Sequence, residues 1–380
     1  MKPQRQWGGT PWTLQEIPHQ AGGERTPQVA IIGAGFTGAS TAYHLARRGI
    51  SASIFEASRV GEGASGRTGG LVLEGTAVGP LPEADSCVQE LQDLVTAEAI
   101  DCGLHLPGCW EIAHGKSPGK QALPWRDNGQ QVHIAQTVRG GAVEPARLLT
   151  GLLKAAIQFG ARLEENTPVQ RIVIEPRPGV EFPGHTLYPD QVVVAVNAWL
   201  PALLLSSVEV HSSLTFACAT VPLDRATLDE AGLSAGIPFY TADLPYLWGR
   251  TTDDGRVVFG SGLVFGSPAE LEETDVSAGP SQSTLRQLQE RVRRLHPKFN
   301  HVRFSASWGG PIAFTPDAVP VLARLPACRD VIAAGAYAGH GVAMSVHAGQ
   351  LIARAIAEGA ELPRWGALDR KRSAARFGRR

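Results

Sequence analysis

The feature that most constrains this chain is a short apolar run, Gln28-Val-Ala-Ile-Ile-Gly33, that breaks into glycines and then turns helical. An unbroken apolar run of this length fits a strand buried on both faces, as in a parallel sheet. The following Gly33-Ala-Gly35-Phe-Thr-Gly38 opens a predicted helix from Phe36 to Arg48, with Gly49 as its stop. Ser51-Ala-Ser-Ile-Phe-Glu56 reads as a second strand. Strand, helix and strand in this order make a βαβ unit, which sets an α/β class. Gly33 permits the tight turn out of the strand, Gly35 lets a pyrophosphate approach the backbone, and Gly38 lets helix and strand pack closely. The helix start at Phe36 and Thr37 offers free N–H groups to a phosphate. Glu56, with Ala57 after it, ends the second strand where a carboxylate can accept ribose hydroxyls. The element therefore predicts dinucleotide binding without choosing between NAD and FAD.

At 380 residues the chain is long enough for one large or two interleaved domains. Its formal net charge of -1 argues against a general nucleic-acid surface, which needs a basic excess. No run of 18 or more apolar residues occurs, so no transmembrane helix is expected, and the N-terminus has no apolar signal core. The five cysteines, Cys87, Cys102, Cys109, Cys218 and Cys328, form no C-x-x-C pair and match no zinc spacing. They read as reduced, mostly buried thiols of a cytoplasmic protein, with no metal site.

Further along, Pro145 to Phe159 has a helical apolar stripe at Leu148, Leu149, Leu152 and Leu153. Strands are expected at Pro168–Ile174, Gln191–Asn197, Arg256–Gly260 and Asp330–Gly335, and helices at Ser281–Leu295 and Val342–Glu358. The β-rich stretch 216–304 looks inserted between parts of the nucleotide-binding unit. Residues 1–26 are an aperiodic lead-in, and 364–380 a basic, solvated tail.

Two more glycine loops bear on the cofactor. Gly61-Glu-Gly-Ala-Ser-Gly-Arg-Thr-Gly-Gly70 follows the second strand, and its Ser65, Arg67 and Thr68 are donors for phosphate or ring oxygens. Gly335-Ala-Tyr-Ala-Gly-His-Gly341 precedes the final helix, whose N-terminus would stabilise negative charge. A reduced flavin is anionic at N1 and C2=O, whereas nicotinamide develops no such anion.

Together with Trp308-Gly-Gly-Pro-Ile-Ala-Phe-Thr-Pro-Asp-Ala-Val-Pro-Val321, these segments resemble the D-amino-acid-oxidase-type FAD oxidoreductases. That superfamily contains glycine, sarcosine and γ-glutamylputrescine oxidases, and the last branch is the most similar. The resemblance runs through most of 28–358 and is vague between about 80 and 140. It implies a Rossmann-type FAD-binding domain formed by 27–80, 143–215 and 305–363. An inserted α+β substrate domain, built on a β-sheet, would comprise 81–142 and 216–304. Gly33, Gly35, Phe36, Thr37, Gly38, Glu56 and Ala57 would hold the ADP half. Ser65, Gly66, Arg67 and Thr68 would line the pyrophosphate and flavin side, Val169 the adenine, and Asn197 and Ala198 would close over the cofactor. Gly339, His340, Gly341 and Val342 would face the ribityl chain and flavin, with Asp317 at the flavin rim.

The resemblance also has departures. Sarcosine oxidases tether flavin through a cysteine where Gly310 stands here, so non-covalent FAD is expected. Trp308–Pro316 lacks the arginine that holds a substrate carboxylate in glycine-oxidase-like members, and Arg250 is the substitute candidate. Tyr240, Tyr246, Trp248 and Trp308 are candidates for an apolar or cation-binding wall, and His340 for an acid or base. The implied reaction is oxidation of a C–N bond of an amine or amino acid, with O2 as acceptor. No lysine occurs in Arg256–Leu263 to activate O2. A dehydrogenase using another acceptor, or a non-catalytic flavoprotein subunit, are the alternatives. Oligomeric state is left open.

Overall fold

The computed structural model describes residues 5–18, 26–115, 117–204, 209–241 and 245–369. The predicted βαβ unit forms as strand Val29–Ile32, helix Phe36–Ala46 and strand Ala52–Phe55. It sits inside a six-stranded sheet of order Val321–Leu325, Cys328–Gly335, Gln191–Val194, Val29–Ile32, Ala52–Phe55, Arg162–Glu164. All neighbours are parallel except the Val321–Leu325 edge strand. The register sets Ile32 between Val194 and Phe55.

The pleat explains why the first strand is apolar throughout. Val29 and Ile31 pack with the helices Phe36–Ala46, Pro145–Gln158 and Gly341–Ala357 on one face. Ala30 and Ile32 pack on the other with Ile172, Val180 and Phe182 of a small antiparallel sheet. Between the first and last helices the backbones nearly touch: a Cβ on Gly349 would stand 2.6 Å from that of Ser40, whose hydroxyl donates to Val346 O at 2.7 Å.

Two expected strands shorten. Pro168–Ile174 pairs only at Arg171–Val173, because Pro168 has no N–H to give a ladder. Gln191–Asn197 stops at Val194, and Asn197 turns with a φ of +45° into a single 3₁₀ turn. The helix Gly279–Leu295 buries Leu285, Leu288, Val292 and Leu295 as expected, over an eight-stranded sheet.

That larger sheet runs Phe304–Phe314, His211–Thr220, Val257–Phe265, Trp248–Thr251, Phe239–Thr241, Cys109–His114, Gln130–Val138, Ala122–Asp127. His211–Thr220 pairs with Phe304–Phe314 from His211↔Phe314 to Thr220↔Phe304. The domain limits drawn at 215/216 and 304/305 therefore fall inside strands. Buried charge is knotted beneath this sheet: Asp127 accepts from Arg291 through both oxygens and bonds His114 Nε2 at 2.8 Å. Burial pushes the Asp127 carboxyl up, but these partners outweigh it and hold the group below its ordinary value.

The lead-in is built into the body over 5–18. Trp7 is fully buried, its indole N–H donating to Leu271 O at 2.8 Å, and Gly309 N donates to Trp7 O at 2.8 Å. The segment therefore straps the larger sheet. The arginines and lysine of the tail from Arg370 onward lie outside the described residues. Among the described residues no helix is long and apolar enough to cross a membrane, and no cluster of three or more His, Cys, Asp or Glu could hold a metal.

Candidate functional site

Two helices begin at the carboxyl edge of the six-stranded sheet, Phe36–Ala46 after Val29–Ile32 and Gly341–Ala357 after Cys328–Gly335. Gln191–Val194 lies between those strands, so the crevice sits where the chain switches direction across the sheet. Neither helix has a side-chain cap from its N-cap residue or an acid in its first turn. Uncapped helix starts leave N–H groups unsatisfied and the positive dipole end uncompensated. A long, doubly anionic dinucleotide matches two such ends on one edge.

Local contacts shape the first of these ends. Gly33 holds a φ of +101°, and a Cβ on Gly38 would stand 2.0 Å from Gly33 O. Glu56 reaches back to the loop, accepting from Ala34 N at 3.0 Å and, across Ala57, from Ser58 N at 3.1 Å. Burial raises the Glu56 pKa and these two bonds oppose the rise. Each oxygen keeps a lone pair for a ribose hydroxyl. Ser65, in the 3₁₀ turn Ala64–Gly66, accepts from Phe36 N at 3.0 Å and keeps its own proton to donate.

At the second end, Thr37 Oγ1 and the Tyr337 hydroxyl meet at 2.7 Å and tie the two glycine loops together. Burial keeps the Tyr337 phenol well above its ordinary pKa. His340 caps the last helix by position, and its Nδ1 is buried with no partner. Burial lowers its pKa to about 4, so the imidazole is neutral at pH 7. Gly339, Gly341 and Val342 surround it in the same turn. Val169 lies on the way into Arg171–Val173, half-buried against the second face of the sheet.

Several residues expected to reach a cofactor also brace the protein. The Arg67 guanidinium donates to Gly8 O at 2.9 Å, Gly309 O at 3.2 Å and Trp7 O at 3.4 Å, tying down the strap. Thr68 Oγ1 accepts from Gly70 N at 3.4 Å within its own loop. Asn197 Oδ1 accepts from Ala336 N at 2.9 Å, pinning the glycine turn, and Ala198 is buried beside it. Asp317 closes its turn by accepting from Thr315 Oγ1 at 3.0 Å and Val319 N at 3.2 Å.

The proposed wall divides in the same way. Trp308 is buried, donates to Arg67 O at 2.9 Å and lies edge-on to Trp12 at 5.5 Å between ring centroids. It supports the loop rather than presenting a surface. Tyr240 donates to Glu111 Oε2 at 3.0 Å, and burial raises its pKa. Burial also raises that of Tyr246, which is half-buried. Trp248 lies against the backbone of Gly69 and Gly260, where a Cβ would stand 2.0 Å from its ring in either place. Arg250, two residues on, is 5% exposed, donates through Nε to Gly69 O and leaves Nη2 buried and unpartnered. Burial lowers its pKa to about 10.

Trp7, Trp12 and Tyr337 are not among the residues expected at the site. The first two carry a sequence signal: large aromatics do not belong in a solvated lead-in. Tyr337 carries a weaker one, as a large phenol inside the glycine loop Gly335–Gly341.

The chain is 25% identical to γ-glutamylputrescine oxidoreductase of Escherichia coli, covering 88% of this chain and 85% of that protein. It is 26% identical to the probable oxidoreductase OrdL of Rhizobium meliloti, covering 90% and 85%. Glycine oxidase from Geobacillus kaustophilus shares the fold, with a TM-score of 0.71 at 21% identity over 88% of this chain and 95% of that one. Residues 28–355 match the DAO family model, and the chain belongs to this family of FAD-dependent oxidoreductases.

Proposed function

We propose that this protein oxidises a C–N bond of a small amine or amino acid, using non-covalently held FAD. The observation that carries the reading is the pair of helix starts, free of N-cap side-chain bonds and of first-turn acids, on one sheet edge and joined by the Thr37–Tyr337 contact. Similar proteins support the substrate class, being named for γ-glutamylputrescine and glycine. When bound, FAD would supply the two-electron acceptor for a hydride from the carbon that bears the nitrogen. The imine product then takes up water to give a carbonyl compound and the free amine.

In this reading Gly33, Gly35, Phe36, Thr37, Gly38, Glu56 and Ala57 hold the ADP half, and Val169 the adenine. Ser65, Gly66 and Thr68 line the pyrophosphate. Gly339, Gly341 and Val342 would give N–H groups to the pyrimidine end, with His340, whose own N–H donates to Tyr337 O at 2.9 Å, beside them. The amine binds with its proton already lost to solvent, so the nitrogen lone pair is free when the hydride leaves, and His340 stays neutral beside it. Trp248 and Tyr246 exclude water over the reacting carbon, and Arg250 orients an anionic substrate group.

Non-covalent attachment is supported by the thiols. Burial lifts Cys87 and Cys109 to about 12 and Cys102 to about 11, so none is a thiolate nucleophile at pH 7. A Cβ on Gly310 would stand 3.3 Å from Arg67, which leaves little room for a tether. A cytoplasmic location accords with five free cysteines. O2 is the proposed acceptor, giving H2O2. The absence of lysine from Val257–Phe265 favours, as a second reading, a dehydrogenase passing electrons to another carrier.

The test is anaerobic flavin reduction across amines, N-methyl amino acids and D-amino acids. Bleaching near ~450 nm by at least one member is expected, with flavin released on acid precipitation. A protein reduced by none of them, or one that retains colour in the pellet, overturns the first or the second part respectively. Peroxide in the aerobic reaction separates the two acceptors.

A further inference from the structure

The strap residue Trp12 and the hairpin arginines Arg250 and Arg256 line one cavity of about 220 Å³, beside the end of the Gly61–Gly70 loop. Each of the three has a buried N–H without a partner: Trp12 Nε1, Arg250 Nη2 and Arg256 Nε. Of the buried side-chain atoms lacking a partner among the described residues, this one cavity's lining accounts for three, and all three are donors. Folding selects strongly against such groups, because each has lost water and gained nothing. Three together on one cavity mark a place where an acceptor would be accommodated.

The surrounding acids do not supply it. Glu144 accepts from Ala146 N and Arg147 N, and pairs with the Arg147 guanidinium at 3.3 Å. Asp253 pairs with Arg147 at 3.2 Å, and Asp254 with Arg256 and Thr252. Their geometry is spent on these partners, while the Arg250 plane is held between the Gly69 carbonyl and the Trp12 ring, 5.3 Å from its centroid. A guanidinium fixed in this way offers its remaining edge as a planar fork.

We infer that this cavity is a binding site for a carboxylate, closed on one side by Trp12 of the N-terminal strap. A carboxylate is planar, carries only acceptors, and brings two oxygens to a cavity whose lining holds three unmet donors. The site stands on the hairpin and the strap, and Trp12 touches the Trp308–Pro316 strand through the edge-on contact with Trp308. Its existence does not depend on the redox reading, since binding is measurable without turnover.

The experiment is calorimetric titration of the flavin-bound protein with propionate, and with propylamine as a control lacking the carboxylate. Saturable heat with propionate but not with propylamine is expected. Trp12→Phe keeps the ring and deletes only the N–H, and should weaken propionate binding by about tenfold. Arg250→Met should abolish it, and Arg250→Lys should not restore it, because an ammonium cannot present the fork. No saturable heat, or equal affinity in wild type and Trp12→Phe, overturns the inference even if Arg250→Met fails to fold. Two sources of the carboxylate are then told apart by kinetics on any amine that reduces the flavin. Propionate that raises KM at constant kcat shows that the substrate itself carries the group. Propionate that binds without changing KM assigns the site to a separate small acid.

Discussion

The two glycine loops on the amino-terminal side of the crevice are held by different means. Gly33–Gly38 is held largely by neighbours close in sequence, its own helix, the Glu56 carboxylate and the Ser65 turn of the adjoining loop, with Tyr337 reaching Thr37 from far along the chain. Gly61–Gly70 is held by residues from far along the chain, since Trp248, Arg250, Trp308 and the strap all converge on it. Arg67 carries the consequence of that difference. In an isolated loop a guanidinium would serve as a phosphate donor; here it meets three backbone carbonyls and becomes the buckle of the strap.

The sharpest way to break this contrast is Gly38→Val. The new Cβ would meet Gly33 O at 2.0 Å, a backbone atom that cannot move aside. A loss of at least about 3 kcal/mol and of all bound flavin is expected, read as the absorbance near ~450 nm per protein and the urea midpoint. Retained flavin would show that the loop is less rigid than its contacts imply.

Arg67→Ala should separate the two loops. Three carbonyls lose a charged donor, with a cost of about 2 kcal/mol, and amide exchange over residues 5–18 should quicken. Flavin should stay bound, because the Gly33–Gly38 contacts are untouched. Its complete release would mean that Arg67 serves the cofactor directly after all.

His340 gives a pH-dependent test. Its folded pKa lies near 4, below the unfolded value near 6.5, so the unfolded chain binds the extra proton between them. Stability from this residue is therefore full above about pH 6.5 and is lost as pH falls towards 4. Between pH 7 and 5, His340→Gln should remove on the order of 1 kcal/mol of the wild-type decline in denaturant stability. Parallel curves for both proteins would remove His340 from the buried groups that matter. The smallest effect is expected of Thr37→Val, which deletes the bond to Tyr337 at 2.7 Å. About 1 kcal/mol is expected, with a tyrosine titration shifted in difference spectra.

Much was legible in advance because the period of the pattern and the position of glycine act over a few residues. The first strand and helix, the stripe of Pro145–Gln158 and the amphipathic Gly279–Leu295 helix all arise from spacing that any neighbour would satisfy. The cofactor class was readable for the same reason, since uncapped helix starts are written into the glycine loops themselves. The larger sheet was partly hidden, because Cys109–His114 and Phe304–Phe314 find partners remote in sequence, and β pairing depends on those partners more than on local preference.

The sequence by itself determined an α/β chain with a dinucleotide loop, an acid at the second strand's end and two further glycine loops. Tertiary structure alone decided what the long polar side chains and the lead-in do. Arginine reaches far and has five donors, so its partners are set by whichever carbonyls the fold brings near. Packing turned Arg67 to the strap, buried Arg250 with a donor unmet, and set Trp12 over it.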